Sequence, residues 1–105
     1  MADIVIAAYR PKPGKDAELL ELLRDHVPFL RREGLVTDRV PILGRAKDGT
    51  YVEVFEWVTG GIARAHESPA VLALWERWAE ACDHVALKDL AEAQGLFAGF
   101  EPIAL

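Results

Sequence analysis

The alternation of apolar and polar positions divides the chain into strands and helices in the order strand, helix, strand, strand, helix, strand. A short apolar run over residues 3–10 predicts the first strand. Ile4 and Ile6 fall on one face of it, and Val5 and Ala7 fall on the other. Because both faces are apolar, we expect both to be covered.

A helix is predicted over residues 16–33, where apolar side chains recur at intervals of three and four. Its apolar stripe consists of Leu20, Leu23, Val27 and Leu30. His26 flanks this stripe, about 60° from its centre at 100° per residue. That position favours a boundary residue of the helix over a catalyst. Pro28 removes a backbone donor and is expected to kink the helix.

Two further strands are predicted over residues 39–46 and 51–58, joined at the Asp48-Gly49 turn. Proline cannot donate to a strand ladder, so Pro41 places the first of the two at a sheet edge. In the strand over residues 51–58, Glu53 is a charged residue among aromatic neighbours. One face of it carries Tyr51, Glu53, Phe55 and Trp57.

A second helix begins at Ser68-Pro69, a good cap followed by proline at the first helical position. Its apolar stripe consists of Val71, Trp75, Trp78, Cys82 and Val85. We interpret residues 86–95 as a short helical connection and residues 97–103 as the last strand.

This order predicts an α+β fold, a ferredoxin-like sandwich (βαββαβ) with a four-stranded antiparallel sheet and two helices on one face. The two helices cover only one face of the sheet. The other face still carries aliphatic residues, which in water would promote aggregation. We therefore expect a homodimer packed sheet to sheet.

Length and charge exclude several classes of protein. A chain of 105 residues is sufficient for one domain, residues 1–105, and too short for two. The net charge of −5 argues against a nucleic-acid partner, and the absence of a basic run argues against an anionic membrane surface. The single Cys82 fits a reducing compartment. With no basic leader and no apolar run of about 18 residues, a cytoplasmic location is expected.

Two segments resemble the antibiotic biosynthesis monooxygenase family of the dimeric α/β barrel superfamily. RPKPGKDAELLELLRDHV, residues 10–27, is similar to that family's strand-to-helix connection. VEVFEW, residues 52–57, followed by ARAHESPAV, residues 63–71, resembles its acidic-x-Trp strand end and Ala-His-x-Ser/Thr-Pro segment.

The resemblance implies a ligand cleft between the sheet and the helices, with His66 and Trp57 near its mouth and His26 on the opposite wall. It also implies cofactor-independent oxygenation as the activity. The haem-degrading branch of the family carries a histidine ligand on the second helix. Residues 72–75 of this chain, Leu-Ala-Leu-Trp, contain none, which argues against haem.

His66 and Glu53 are the candidate catalytic residues. An imidazole titrates near neutral pH and can act as a general base, although His66 at a helix end can equally be a structural residue bonded to the backbone. Glu53 needs a partner or a raised pKa inside the sheet. It is either an acid in the cleft or the ion-pair partner of Arg10 or Arg45.

The candidate ligand-binding residues are Trp57, His26, Tyr51 and Arg10. Trp57 can stack on a planar ligand or pack in the core. No set of His, Asp and Glu has the spacing of metal ligands, and no glycine-rich phosphate loop is present, so neither a metal nor a cofactor is expected. Two functions remain open: a small dimeric protein that binds an apolar or aromatic molecule, acting as a cofactor-independent monooxygenase, or a non-catalytic ligand-binding or structural dimer.

Overall fold

Two long strands at the centre of an antiparallel sheet organise the fold. The computed structural model describes residues 2–105. Its strands are β1 (Asp3–Pro11), β2 (Ile42–Arg45), β3 (Tyr51–Trp57), β4 (Cys82–Val85) and β5 (Glu101–Pro102). Its helices are α1 (Asp16–Arg32), α2 (Gly61–Ala65) and α3 (Pro69–Ala81), followed by 3₁₀ turns at Leu87–Asp89 and Ala91–Gln94.

The sheet has the strand order β4-β1-β3-β2-β5, and every neighbouring pair is antiparallel. In the central pair, Val5 lies opposite Phe55, and Ala7 lies opposite Glu53. Since β1 and β2 both run antiparallel to β3, they are parallel to each other with β3 between them. Likewise, β3 and β4 are parallel to each other with β1 between them. The connections through α1 and α3 therefore each join two parallel strands that are separated by one other strand.

Local sequence explains where the helices begin. The Ser68 hydroxyl accepts a hydrogen bond from the Val71 amide at 3.3 Å, and Pro69 occupies the first helical position of α3, as predicted. Gly60 has a φ of 73°, a left-handed conformation that glycine adopts without strain. α1 runs through Pro28 without interruption and buries a broad face.

The core lies between the helices and one face of the sheet, which we call the inner face: Val5, Ala7, Tyr9, Tyr51, Glu53, Phe55 and Trp57. The opposite, outer face is covered at one end only, where Leu90 packs against Ala8 and Val52. The remainder of that face is open, since Ile4, Ile6 and Ile42 are 60%, 51% and 65% exposed.

The prediction of a four-stranded sheet is wrong, because the described residues form five strands. The missed strand is β4. We predicted that the second helix carried Cys82 and Val85 on its stripe, but α3 ends at Ala81, and the backbone at Cys82 is extended with φ −154° and ψ 168°. Pairing of β4 with residues 8–11 of β1 determines this conformation. The last strand, predicted over residues 97–103, corresponds to β5, which spans only Glu101–Pro102 and pairs with β2.

Among residues 2–105, none of the helices combines the length and the apolar content needed to cross a lipid bilayer.

Candidate functional site

A cavity of about 350 Å³ lies between the inner face of the sheet and the three helices. The sheet side is formed by Val5, Ala7, Tyr9 and Phe55. All three tryptophans of the chain line it, Trp57, Trp75 and Trp78, and so do all three histidines, His26, His66 and His84. His66 and His84 are exposed, whereas His26 and Trp78 are buried, so the cavity extends from the surface into the core.

The buried end of the cavity contains a hydrogen-bonded network of three side chains. Nδ1 of His26 lies 3.0 Å from each carboxylate oxygen of Glu53. The Tyr9 hydroxyl donates to Oε1 of Glu53, also at 3.0 Å. Glu53 is 1% exposed and His26 is 4% exposed, so the pair is shielded from water. Glu53 does not line the cavity itself. It lies behind His26 and Tyr9, which do.

This network determines the state of the imidazole. An ionised carboxylate only accepts hydrogen bonds, so Nδ1 of His26 is the donor toward Glu53. A neutral His26 then carries its proton on Nδ1, and Nε2 keeps a free lone pair. The side-chain nitrogens and oxygens that are fully buried without a partner, among residues 2–105, are Thr50 Oγ1 and Trp78 Nε1. Nε2 of His26 is not among these atoms, and His26 lines the cavity.

Tyr9 acts as a permanent donor in the network. Burial raises the pKa of its hydroxyl far above the ordinary value, and the neighbouring charge of Glu53 raises it further. The hydroxyl therefore stays protonated throughout the physiological range and keeps one carboxylate oxygen satisfied.

Aromatic rings hold His26 in place on two sides. The ring centroids of His26 and Trp78 lie 4.4 Å apart at an interplanar angle of 49°. Phe55 meets His26 edge to face at 5.4 Å. Contacts with α3 and β3 thus fix the orientation of the imidazole and leave it little freedom to rotate.

His66 lies at the exposed side of the cavity, at the end of α2. Its Nδ1 donates to the Ile62 carbonyl at 2.8 Å, and its ring packs edge to face on Trp75 with centroids 5.0 Å apart. His66 was considered either a general base or a structural residue bonded to the backbone. It makes the backbone bond expected of a structural residue, and it also lines the cavity, as a base acting on a ligand would.

The other candidate residues divide into two groups. Trp57 lines the cavity beside Phe55, as a ligand-binding role requires. Tyr51 and Arg10 lie outside its lining. The Tyr51 hydroxyl donates to Asp16 at 3.0 Å, and Arg10 binds Asp48 at 3.1 Å on the surface.

The two arginines proposed as partners of Glu53 have other partners. Arg10 pairs with Asp48, and Arg45 pairs with Glu101 at 2.9 Å. The alternative of an ion pair with either of them is therefore wrong, and His26 takes that place.

Among the lining residues that sequence reasoning did not select, four have a polar side-chain atom: Tyr9, Trp75, Trp78 and His84. Tyr9 follows Val5 and Ala7 at intervals of two, so strand periodicity carried a signal for it. Trp75 and Trp78 were assigned to the core. They pack in the core and also line the cavity. His84 could not be predicted as a lining residue, because its position depends on strand β4, which was itself not predicted.

Within residues 2–105, no three His, Cys, Asp or Glu side chains come together as metal ligands. The chain matches no model of a known protein family, no characterised protein and no solved structure.

Proposed function

We propose that this protein binds a small apolar, aromatic molecule in the cavity between its sheet and its helices. One observation carries the proposal: every tryptophan and every histidine of the chain lines one space of about 350 Å³. Ligand pockets generally have volumes from about 300 Å³ upward and are lined by aromatic side chains with a few polar groups. A cavity of about 150 Å³ holds benzene, so this one suits a molecule of one or two rings.

The polar groups of the cavity lining restrict the chemical class of the ligand further. They are the three imidazoles, the three indole N–H groups and the Tyr9 hydroxyl, and no lysine, arginine or carboxylate among residues 2–105 joins them. Phosphorylated or strongly anionic molecules are poorly suited, because nothing permanently cationic would offset their desolvation. The site favours an aromatic ring with one or two weakly polar substituents.

Cofactor-independent oxygenation of such a molecule is the activity we propose, in line with the resemblance to antibiotic biosynthesis monooxygenases. An electron-rich aromatic anion can itself supply electrons to oxygen, and the protein then contributes a base and a dry, aromatic-lined space. The order β4-β1-β3-β2 supports a ferredoxin-like arrangement with β5 added at its edge. The alternative is a non-catalytic ligand-binding or structural dimer.

We also propose a homodimer that packs outer face to outer face, as in a dimeric α/β barrel. Ile4, Ile6 and Ile42 support it, since such a group of exposed aliphatic side chains is typical of an interaction surface. Sedimentation should give twice the chain mass, and Ile6→Lys should shift it toward the monomer. A monomeric wild type would contradict this proposal. The cytoplasmic location stays a prediction.

Binding is tested by titration calorimetry with naphthalene and 1-naphthol. Ala7→Phe should weaken binding at least tenfold, because the new ring enters the cavity from β1. Ile4→Phe, on the outer face of the same strand, is the matched control and should bind like wild type. If Ala7→Phe binds as well as the control, the ligand lies elsewhere. Oxygen consumption with 1-naphthol separates the enzyme from the non-catalytic alternative.

A further inference from the structure

We propose that His26 is the proton acceptor of this cavity, held in place by Glu53, and that the ligand is an aromatic hydroxyl compound bound as its anion. This inference rests on the proposed function and deepens it. It assigns the base to the buried histidine rather than to His66.

The first argument is the tautomer of His26. Its Nδ1 lies 3.0 Å from both oxygens of Glu53, so the ring proton is directed toward the carboxylate. Nε2 is the ring nitrogen that Glu53 does not engage, on a side chain that lines the cavity. The arrangement presents a lone pair to the ligand and places a negative charge behind the ring, where it stabilises the imidazolium once formed.

The proton transfer is balanced within the site. The O–H bond of the ligand breaks, an N–H bond forms at Nε2, and the electron pair stays on the ligand oxygen. The product is an imidazolium between two anions, the ligand oxygen and Glu53. No oxidant, reductant or third reactant takes part.

The groups around His26 support this direction of transfer. From β3 it meets Glu53 and Phe55, and from α3 it meets Trp78. Tyr9 on β1 reaches it through the shared carboxylate and remains a neutral donor. The other titratable groups of the lining are His66 and His84, both at the exposed side. Among residues 2–105, Glu53 is therefore the acidic group in direct contact with the ring.

His66 lacks the features that make His26 suitable. Its Nδ1 donates to a neutral carbonyl, that of Ile62, and not to a carboxylate. It is also exposed, so water screens any ion pair it would form with a ligand. The same cavity thus contains a buried histidine with an anionic partner and an exposed one without.

The test uses 4-nitrophenol, whose anion and neutral form have different absorption spectra, and 4-nitroanisole, which has no proton to give. In buffer slightly more acidic than the ionisation midpoint of free 4-nitrophenol, wild-type protein should bind it as the anion. The ratio of anion to neutral form should rise roughly tenfold to a hundredfold over the free compound, the effect of a hydrogen bond to a charged partner. 4-Nitroanisole cannot ionise, so it should bind without any shift toward an anion spectrum.

Three variants locate the acceptor. His26→Gln should bind both compounds but leave 4-nitrophenol neutral. Glu53→Gln should lower the anion ratio at least tenfold, because the imidazolium loses its charged partner. His66→Gln tests the competing assignment: it should leave the ratio of anion to neutral form of the bound 4-nitrophenol unchanged, even where it weakens binding. Circular dichroism of each variant establishes that it is folded, and Glu53→Gln carries the test if His26→Gln is not.

The outcomes separate the two proposals. If wild type binds neither compound, the proposed function fails. If it binds both and 4-nitrophenol stays neutral, the function survives and the role of His26 is refuted. If His66→Gln abolishes the anion and His26→Gln does not, the acceptor is the exposed histidine and the inference is wrong.

Discussion

His26→Leu tests the energetic coupling between His26 and Glu53. Leucine has a side chain of similar bulk and keeps the apolar contacts with Trp78 and Phe55. It removes the imidazole that contacts the carboxylate of Glu53, a residue that is 1% exposed. Among residues 2–105, the Tyr9 hydroxyl is then the side-chain donor that Glu53 keeps in the core.

The expected cost is large. Removing a donor from a buried carboxylate costs about 3 kcal/mol, since Glu53 loses a charge-assisted hydrogen bond that water cannot replace there. Domains of this size have unfolding free energies of about 5–15 kcal/mol, so His26→Leu should lose a large part of its stability. Glu53→Gln should cost only about 1 kcal/mol, because a neutral amide can still accept from Tyr9 and donate to the imidazole.

The double variant is the decisive measurement. Once His26 is leucine, exchanging Glu53 for glutamine removes the uncompensated charge. His26→Leu with Glu53→Gln should therefore be more stable than His26→Leu alone by about 1–3 kcal/mol. Urea unfolding at one fixed protein concentration measures all four proteins, so that any dimerisation contributes equally. If the losses in unfolding free energy of the two single variants simply add in the double variant, His26 does not stabilise the charge of Glu53 and the reasoning is refuted.

Three other predictions concern packing, capping and ionisation. Gly61→Ala should lower the free energy of unfolding in urea by about 1–3 kcal/mol, because its Cβ would collide with the Leu35 carbonyl oxygen. Gly95→Ala, with open space around it, should be neutral, and equal costs for the two variants would contradict the packing argument. Ser68→Ala should cost about 1 kcal/mol and Ser68→Asn far less, whereas equal losses would mean that the cap contributes nothing. Burial, with a smaller contribution from the charge of the next residue, raises the pKa of the Cys82 thiol from 9.0 to about 11. Its contribution to stability should be fully present below pH 9 and lost as the pH rises through about 11, and Cys82→Ser should lack this loss.

Local patterns predicted much of the fold. β1, α1, the Asp48-Gly49 turn and β3 follow from periodicity and turn chemistry, and they occur close to the predicted positions. β4 could not be predicted in this way. No turn residue separates it from α3, and Cys82 and Val85 continue the helical spacing, so only pairing with β1 distinguishes strand from helix there.

The site was harder to predict for a related reason. His26 was judged a boundary residue because its helix was treated as a narrow stripe, whereas the buried face of α1 is broad enough to include it. Its partner Glu53 is 27 positions away in sequence, and no local rule connects the two. The face of β3 was predicted correctly, but which basic group would reach it depends on how α1 packs.

Because every indole of the chain borders the cavity, intrinsic fluorescence reports on that space and on little else. A ligand that enters should change the emission without any added label. The same property affects thermal melts: a fluorescence transition would follow the loosening of α3 from the sheet, whereas circular dichroism would follow loss of the whole fold. Agreement between the two curves would show that the cavity and the sheet unfold as one cooperative unit.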